Sequence, residues 1–199
     1  MFRRTPLMLS ASALSLLAAC AEAPQQDIDA AKSALEAARS SQAEEYAPEA
    51  WQLAEDAQNA AMQEVESQNE KFALLRSYDT ATELLNKARE QANAATTEAN
   101  EEREQAKARA EAAITEAEAA IVEAQTALES APKGKGTEAD LKAMADELTA
   151  MTTSLAGARE AFTGGRFQMA QARAESVRDG ARAIVADIAQ ATAKRSKRA

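Results

Sequence analysis

Tyr78–Ser130, YDTATELLNKAREQANAATTEANEEREQAKARAEAAITEAEAAIVEAQTALES, contains neither Pro nor Gly. Ala, Glu, Gln and Arg dominate it, and these residues lose little on entering a helix. At 1.5 Å rise per residue, about 53 residues make a rod of roughly 80 Å. The stretch predicts one uninterrupted helix, far longer than a globular helix, and so an elongated all-α molecule. The whole chain agrees: 28% of its 199 residues are charged, 4% are aromatic, and it has only six Gly and four Pro.

The long helix carries an apolar seam at three-four spacing, Ala81, Leu85, Ala88, Ala92, Ala95 and Ala99. Asn100–Arg109 is almost wholly polar. The seam resumes at Ala110, Ile114, Ala117, Ile121, Ala124 and Leu128, and the step Ala106–Ala110–Ile114 reads as a stutter. Upstream, the spacing predicts a helix over Asp27–Ser40 with Ile28, Ala31, Leu35 and Ala38 on one face. Ser40–Ala47 breaks it, and Pro48 suits the first turn of the next helix. That helix is expected to run to about Leu74, with Trp51, Ala54, Gln58, Ala61, Val65, Gln68 and Phe72 along one seam. A turn at Leu75-Arg76-Ser77 follows, with Ser77 as the N-cap of the long helix. Downstream, Pro132-Lys133-Gly134-Lys135-Gly136 ends the long helix. Thr137 and Asp140 resemble a capping box, and a seam runs from Leu141 through Leu148 and Leu155 to Phe162. Gly164-Gly165 turns the chain into a last helix with its seam from Ala170 to Ala191. Lys194–Arg198 reads as a frayed basic tail.

These seams superimpose. Ile28, Ala31 and Leu35 match Ile121, Ala124 and Leu128; Trp51 through Phe72 match Leu141 through Phe162; Ala81 through Ala99 match Ala170 through Ile188. The turn repeats too, as Phe72-x-x-x-Arg76-Ser77-Tyr78-x-x-Ala81 and Phe162-x-x-x-Arg166-Phe167-x-x-Ala170. The expected architecture is an elongated antiparallel helical bundle of two three-helix units, residues 27–102 and 103–193, sharing the long central helix. Six aromatics flank interhelical turns (Tyr46 and Trp51, Phe72 and Tyr78, Phe162 and Phe167), where they are expected to plug the open ends of Ala-seamed hairpins.

Residues 1–19 have the form of an export signal: Arg3 and Arg4, then an apolar core from Leu7 to Leu16 that is too short to span a bilayer. Leu17-Ala18-Ala19-Cys20 resembles the lipobox of bacterial lipoproteins, in which the thiol receives a diacylglyceryl group. That resemblance implies lipidation at Cys20, and Ala21 after it implies the periplasmic face of the outer membrane. Residues 20–26 would form a tether and 194–199 a basic tail. Loss of Arg3 and Arg4 leaves 21 basic against 32 acidic residues, a net −11, which disfavours nucleic acid and anionic lipid.

A chain with no His and one Cys cannot form a Ser-His-Asp or Cys-His site, a His-ligated metal site or an internal disulfide. Carboxylate pairs such as Glu101-Glu102 sit on a polar helix face and read as solvated. No catalytic residue, cofactor or metal is expected, and the chain reads as a non-enzyme.

The motifs Phe-x-x-x-Arg-Ser-Tyr-x-x-Ala (72–81), Gly-Gly-Arg-Phe-x-x-Ala (164–170) and Tyr46-Ala-Pro-Glu-Ala-Trp51 resemble an uncharacterised family of alanine-rich bacterial envelope lipoproteins. Some relatives carry a peptidoglycan-binding domain after such helices, and this chain shows none before Ala199. A lipid anchor at one end of a stiff acidic rod fits a structural or scaffolding role, as a spacer or a partner for envelope proteins. The alternative is a helical module that binds an envelope protein, a peptide or a peptidoglycan fragment.

Overall fold

The computed structural model describes residues 22–132 and 137–196. Its helices are α1 (Gln25–Ser40), α2 (Ala43–Tyr46), α3 (Pro48–Glu70), α4 (Asp79–Ser130), α5 (Glu138–Thr163) and α6 (Phe167–Ser196), with a 3₁₀ turn at Ala73–Leu75. Among the described residues there is no strand. The 52 residues of α4 form a spine of roughly 78 Å. The fold is the elongated all-α bundle that the spacing predicts.

α1 and α3 pack along the first half of α4, and α5 and α6 along the second. The first half is built in layers. Ile28, Val65 and Leu85 share one cluster. Ala34, Ala54 and Ala92 form the next, and Ala38, Trp51 and Ala95 meet near the middle of the rod. Numbers rise along α1 and α4 and fall along α3, so α3 runs antiparallel to both. The second half repeats the plan with a heavier core, in which Leu148, Leu155, Val177 and Ile184 pack on Ala117 and Ala124. Ala residues make the close approach possible: Ala54, Ala95, Ala110, Ala174 and Ala181 are wholly enclosed. Leu85 is the largest side chain as fully buried. A Leu contributes about 1.5–3 kcal/mol on burial and an Ala much less, so stability is spread along the rod.

Several boundaries differ from the sequence expectation. α1 starts at Gln25, and a short α2 occupies part of the predicted break. Between them Gln42 takes the left-handed conformation with φ 63°, the place a Gly or Asn would take more cheaply. α3 stops at Glu70 rather than Leu74. Lys71 and Phe72 are extended, with ψ 155° and 136°, so Phe72 leaves the helical seam and stands in solvent. The expectation that Phe72 plugs a hairpin end is therefore corrected. Tyr78, not Ser77, occupies the N-cap position of α4. Thr137 is the N-cap of α5, yet its side chain makes no cap hydrogen bond. Its hydroxyl donates instead to the Pro132 carbonyl at 3.4 Å. On α4 the second seam is broader than one stripe. Ala113 and Ala120 are buried while Ile114 and Leu128 are half-buried, because α5 and α6 approach from different sides. α6 continues to Ser196, past the Lys194 at which fraying was expected. Ala-rich sequence and cations near a helix C-terminus both favour that continuation. Ala191, the last predicted seam position, is exposed.

The polar stretch Asn100–Arg109 is not a gap in the packing. Ala95, Ala99, Ala106 and Ala110 of α4 lie under one cluster that takes Ala38, Tyr46 and Trp51 from the first half and Ala161, Phe167 and Ala170 from the second. The α1–α3 corner and the α5–α6 corner therefore abut over the middle of the spine.

Candidate functional site

Cys20, the predicted lipidation site, lies outside the described residues. What the structure places is the point where the chain leaves it. Ala23 packs on the cluster of Ile28, Val65 and Tyr78, and the Ile28 N–H donates to the Pro24 carbonyl at 3.0 Å. The described residues thus begin at the same end of the rod as the α3–α4 turn.

That turn is organised by side chains. The Arg76 guanidinium donates to the carbonyls of Asn69 at 2.8 Å and Lys71 at 3.0 Å. It caps carbonyls that a helix end leaves without partners. Gln68, a polar residue on the seam, donates to Glu64 at 2.7 Å and accepts the Ser77 N–H at 3.2 Å. The Tyr78 hydroxyl donates to Asn69 Oδ1 at 2.6 Å, and its ring closes the end of the core. The segment between these fixed points is left outside. Phe72, Leu74 and Leu75 are 71%, 71% and 74% exposed.

The second aromatic group lies at mid-rod. Phe162 and Phe167 meet edge-on, with centroids 5.4 Å apart and planes at 60°. The Arg103 guanidinium stands 5.3 Å from the Phe167 ring and that of Arg39 5.2 Å from the Trp51 ring, distances at which a cation is drawn to a ring face. Tyr46 is 5% exposed and its hydroxyl has no well-formed hydrogen bond. Burial, and secondarily the Glu45 carboxylate, raise its phenol above the ordinary 10.0. This group plugs the meeting corners, as its position beside turns predicts: Tyr46, Trp51 and Phe167 are buried and Phe162 is half-buried.

Further concavities occur among the described residues of the second half of the rod. An apolar hollow of about 100 Å³ between Leu141, Met144 and Ile188 lies at the far end. Two open grooves follow the α4–α5 seam, one of about 250 Å³ beside Leu128 and Leu148, the other of about 360 Å³ beside Ile114 and Phe162. No group of three or more Asp, Glu, Cys or His suited to a metal ion occurs among the described residues. Glu102 pairs with Arg109 at 3.7 Å, Glu118 with Arg159 at 2.7 Å and Glu116 with Arg178 at 3.1 Å. The Asp179 carboxyl is held below its ordinary 3.8, chiefly by the hydrogen bond from Arg178. Such exposed pairs position helices weakly. No described helix is long and apolar enough to cross a membrane.

The class of protein defined by these features is an elongated all-α helical bundle. Comparison with family models, with curated proteins and with solved structures finds no match. Helical spacing alone does not show that the α3–α4 turn is exposed. A signal was present: in the internal repeat Leu74 and Leu75 stand where the second copy has Gly164 and Gly165.

Proposed function

We propose that this chain is a lipoprotein of the bacterial envelope, anchored through Cys20 at the periplasmic face of the outer membrane and acting as a structural or scaffolding rod. The observation that carries the reading is that the described residues begin at one end of a spine of roughly 78 Å. An anchor immediately upstream would hold such a rod by its tip. Two or three acyl chains anchor durably, whereas one does not. The lipobox-like Leu17-Ala18-Ala19-Cys20, the resemblance to alanine-rich envelope lipoproteins and the absence of His support the same reading. The rod would work by spacing and docking, with an envelope protein or peptidoglycan as partner, and not by catalysis. Cys20→Ala tests the anchor. The variant should lose labelling by a fatty-acid probe and leave the membrane fraction, and unchanged labelling would defeat the reading. Crosslinking in cells followed by capture of the acylated protein identifies what the rod touches.

A further inference from the structure

The α3–α4 turn presents Phe72, Leu74 and Leu75, each more than two-thirds exposed, on one short segment at the end of the rod. Leu53, Val122 and Met169 are exposed too, but each on a different helix, as single apolar side chains commonly are. The turn does not need these three residues for its own geometry. Arg76, Gln68, Asn69 and Tyr78 hold it through the hydrogen bonds described above. The corresponding turn at mid-rod is made with Gly164 and Gly165 in the places of Leu74 and Leu75. Hydrophobic side chains clustered where folding gains nothing from them imply a surface that covers them.

The course of the chain says which surface. Ala23 packs at this same end, and Cys20 lies three residues upstream, within about 11 Å along even a fully extended chain. We propose that the Phe72–Leu75 turn dips into the bilayer that holds the N-terminal acyl chains, as a second, protein-made hold beside the lipid. This inference rests on the anchor reading above. The occupant is the interfacial region of a lipid bilayer, entered by apolar side chains and not drawn by charge. Lys71 and Arg76 at the turn are balanced by Glu70 and Asp79, and Arg76 is engaged in capping α3. Apolar groups of this kind settle about 5–10 Å into the headgroup and acyl boundary. With both holds at one tip, the acidic spine stands away from the membrane rather than lying along it.

The test uses the full acylated chain with Phe72→Trp, reconstituted into phosphatidylcholine vesicles with and without brominated acyl chains. Trp51, buried at mid-rod, is the internal reference. Emission from the Phe72→Trp chain should fall by about half in brominated vesicles, at a depth suited to interfacial insertion, while the unsubstituted chain stays unquenched. Mass spectrometry of the same sample reads acylation separately. Acylated protein with no added quenching overturns the inference and leaves the anchor standing. Quenching without acylation supports the turn and removes the anchor. Neither quenching nor acylation overturns both. An increase in particle mass that is lost with Phe72→Ser/Leu74→Ser/Leu75→Ser, and without quenching, assigns the turn to a second copy of the chain and also overturns it.

Discussion

The α3–α4 and α5–α6 turns match in sequence around Phe, Arg and a following aromatic, yet the fold uses them differently. At mid-rod, Gly165 adopts φ 74°. Its N–H donates to the Phe162 carbonyl at 3.0 Å, and the Arg166 N–H donates to that of Ala161 at 2.9 Å. This pair of backbone bonds is a Schellman closure, and it lets α5 run to Thr163 so that Phe162 stays on its helix. At the rod end, Leu74 and Leu75 cannot take the left-handed conformation cheaply. There α3 stops at Glu70, the backbone forms a 3₁₀ turn, and the Arg76 side chain does the capping. Phe72 is expelled, whereas its counterpart Phe162 packs against the shared mid-rod cluster. A repeat in sequence therefore became a buried joint in one copy and an exposed tip in the other. The Gly-Gly or Leu-Leu pair sets how each turn closes, and what lies beside it sets whether it is covered.

The largest test of this contrast is Phe167→Ala. Truncating a buried aromatic costs about 3–5 kcal/mol. Because Phe167 lies in a cluster with Tyr46 and Trp51 as well as Ala170, amide exchange should accelerate in both halves of the rod. Loss confined to residues beyond 110 would show that the corners abut without coupling.

The two closures should differ next. Gly165→Ala places a side chain in the left-handed region and should cost about 1–2 kcal/mol in denaturant unfolding. Arg76→Ala removes two charge-assisted bonds at an exposed site, and about 0.5–1.5 kcal/mol is expected. A cost for Arg76→Ala above that of Gly165→Ala would reverse the ranking of backbone over side-chain closure.

Tyr46→Phe probes the joint more gently. Deleting a buried hydroxyl that lacks a good partner should leave stability unchanged or raise it by up to about 1 kcal/mol. The phenol of the folded chain is raised above 10.0, mainly by burial. The unfolded chain therefore loses its proton first, and stability present below pH 10 falls as pH rises through the folded value. The Phe variant should lack that alkaline decline, and an identical decline in both would place its origin elsewhere. The smallest effect belongs to the tip. Phe72→Ser should move the denaturant midpoint by no more than about 0.5 kcal/mol equivalent, and a larger loss would mean that Phe72 packs in solution.

Helix content and the seam of α3 as far as Gln68 were legible from the chain alone. Trp51, Ala54, Gln58, Ala61, Val65 and Gln68 are all buried as their spacing requires, because a helix of known pitch turns a linear pattern into a face. The length of α4 followed from the absence of Pro and Gly. The Cys20 motif was legible as a motif, but the described residues begin after it. The meeting of the two corners was not legible. Asn100–Arg109 looks solvated when only α4's own pattern is considered, and Arg103 becomes a ring partner only once α6 brings Phe167 to it.

By itself the sequence determined the local terms: helix propensity, the three-four spacing of apolar residues, and where Pro and Gly punctuate the chain. Tertiary structure decided what is covered. Leu74-Leu75 against Gly164-Gly165 sets how each turn closes, but that one turn ends the rod while the other faces a second corner is a matter of tertiary arrangement. Burial depends on residues far apart in the chain arriving at one place, and no pattern within a single helix carries that information.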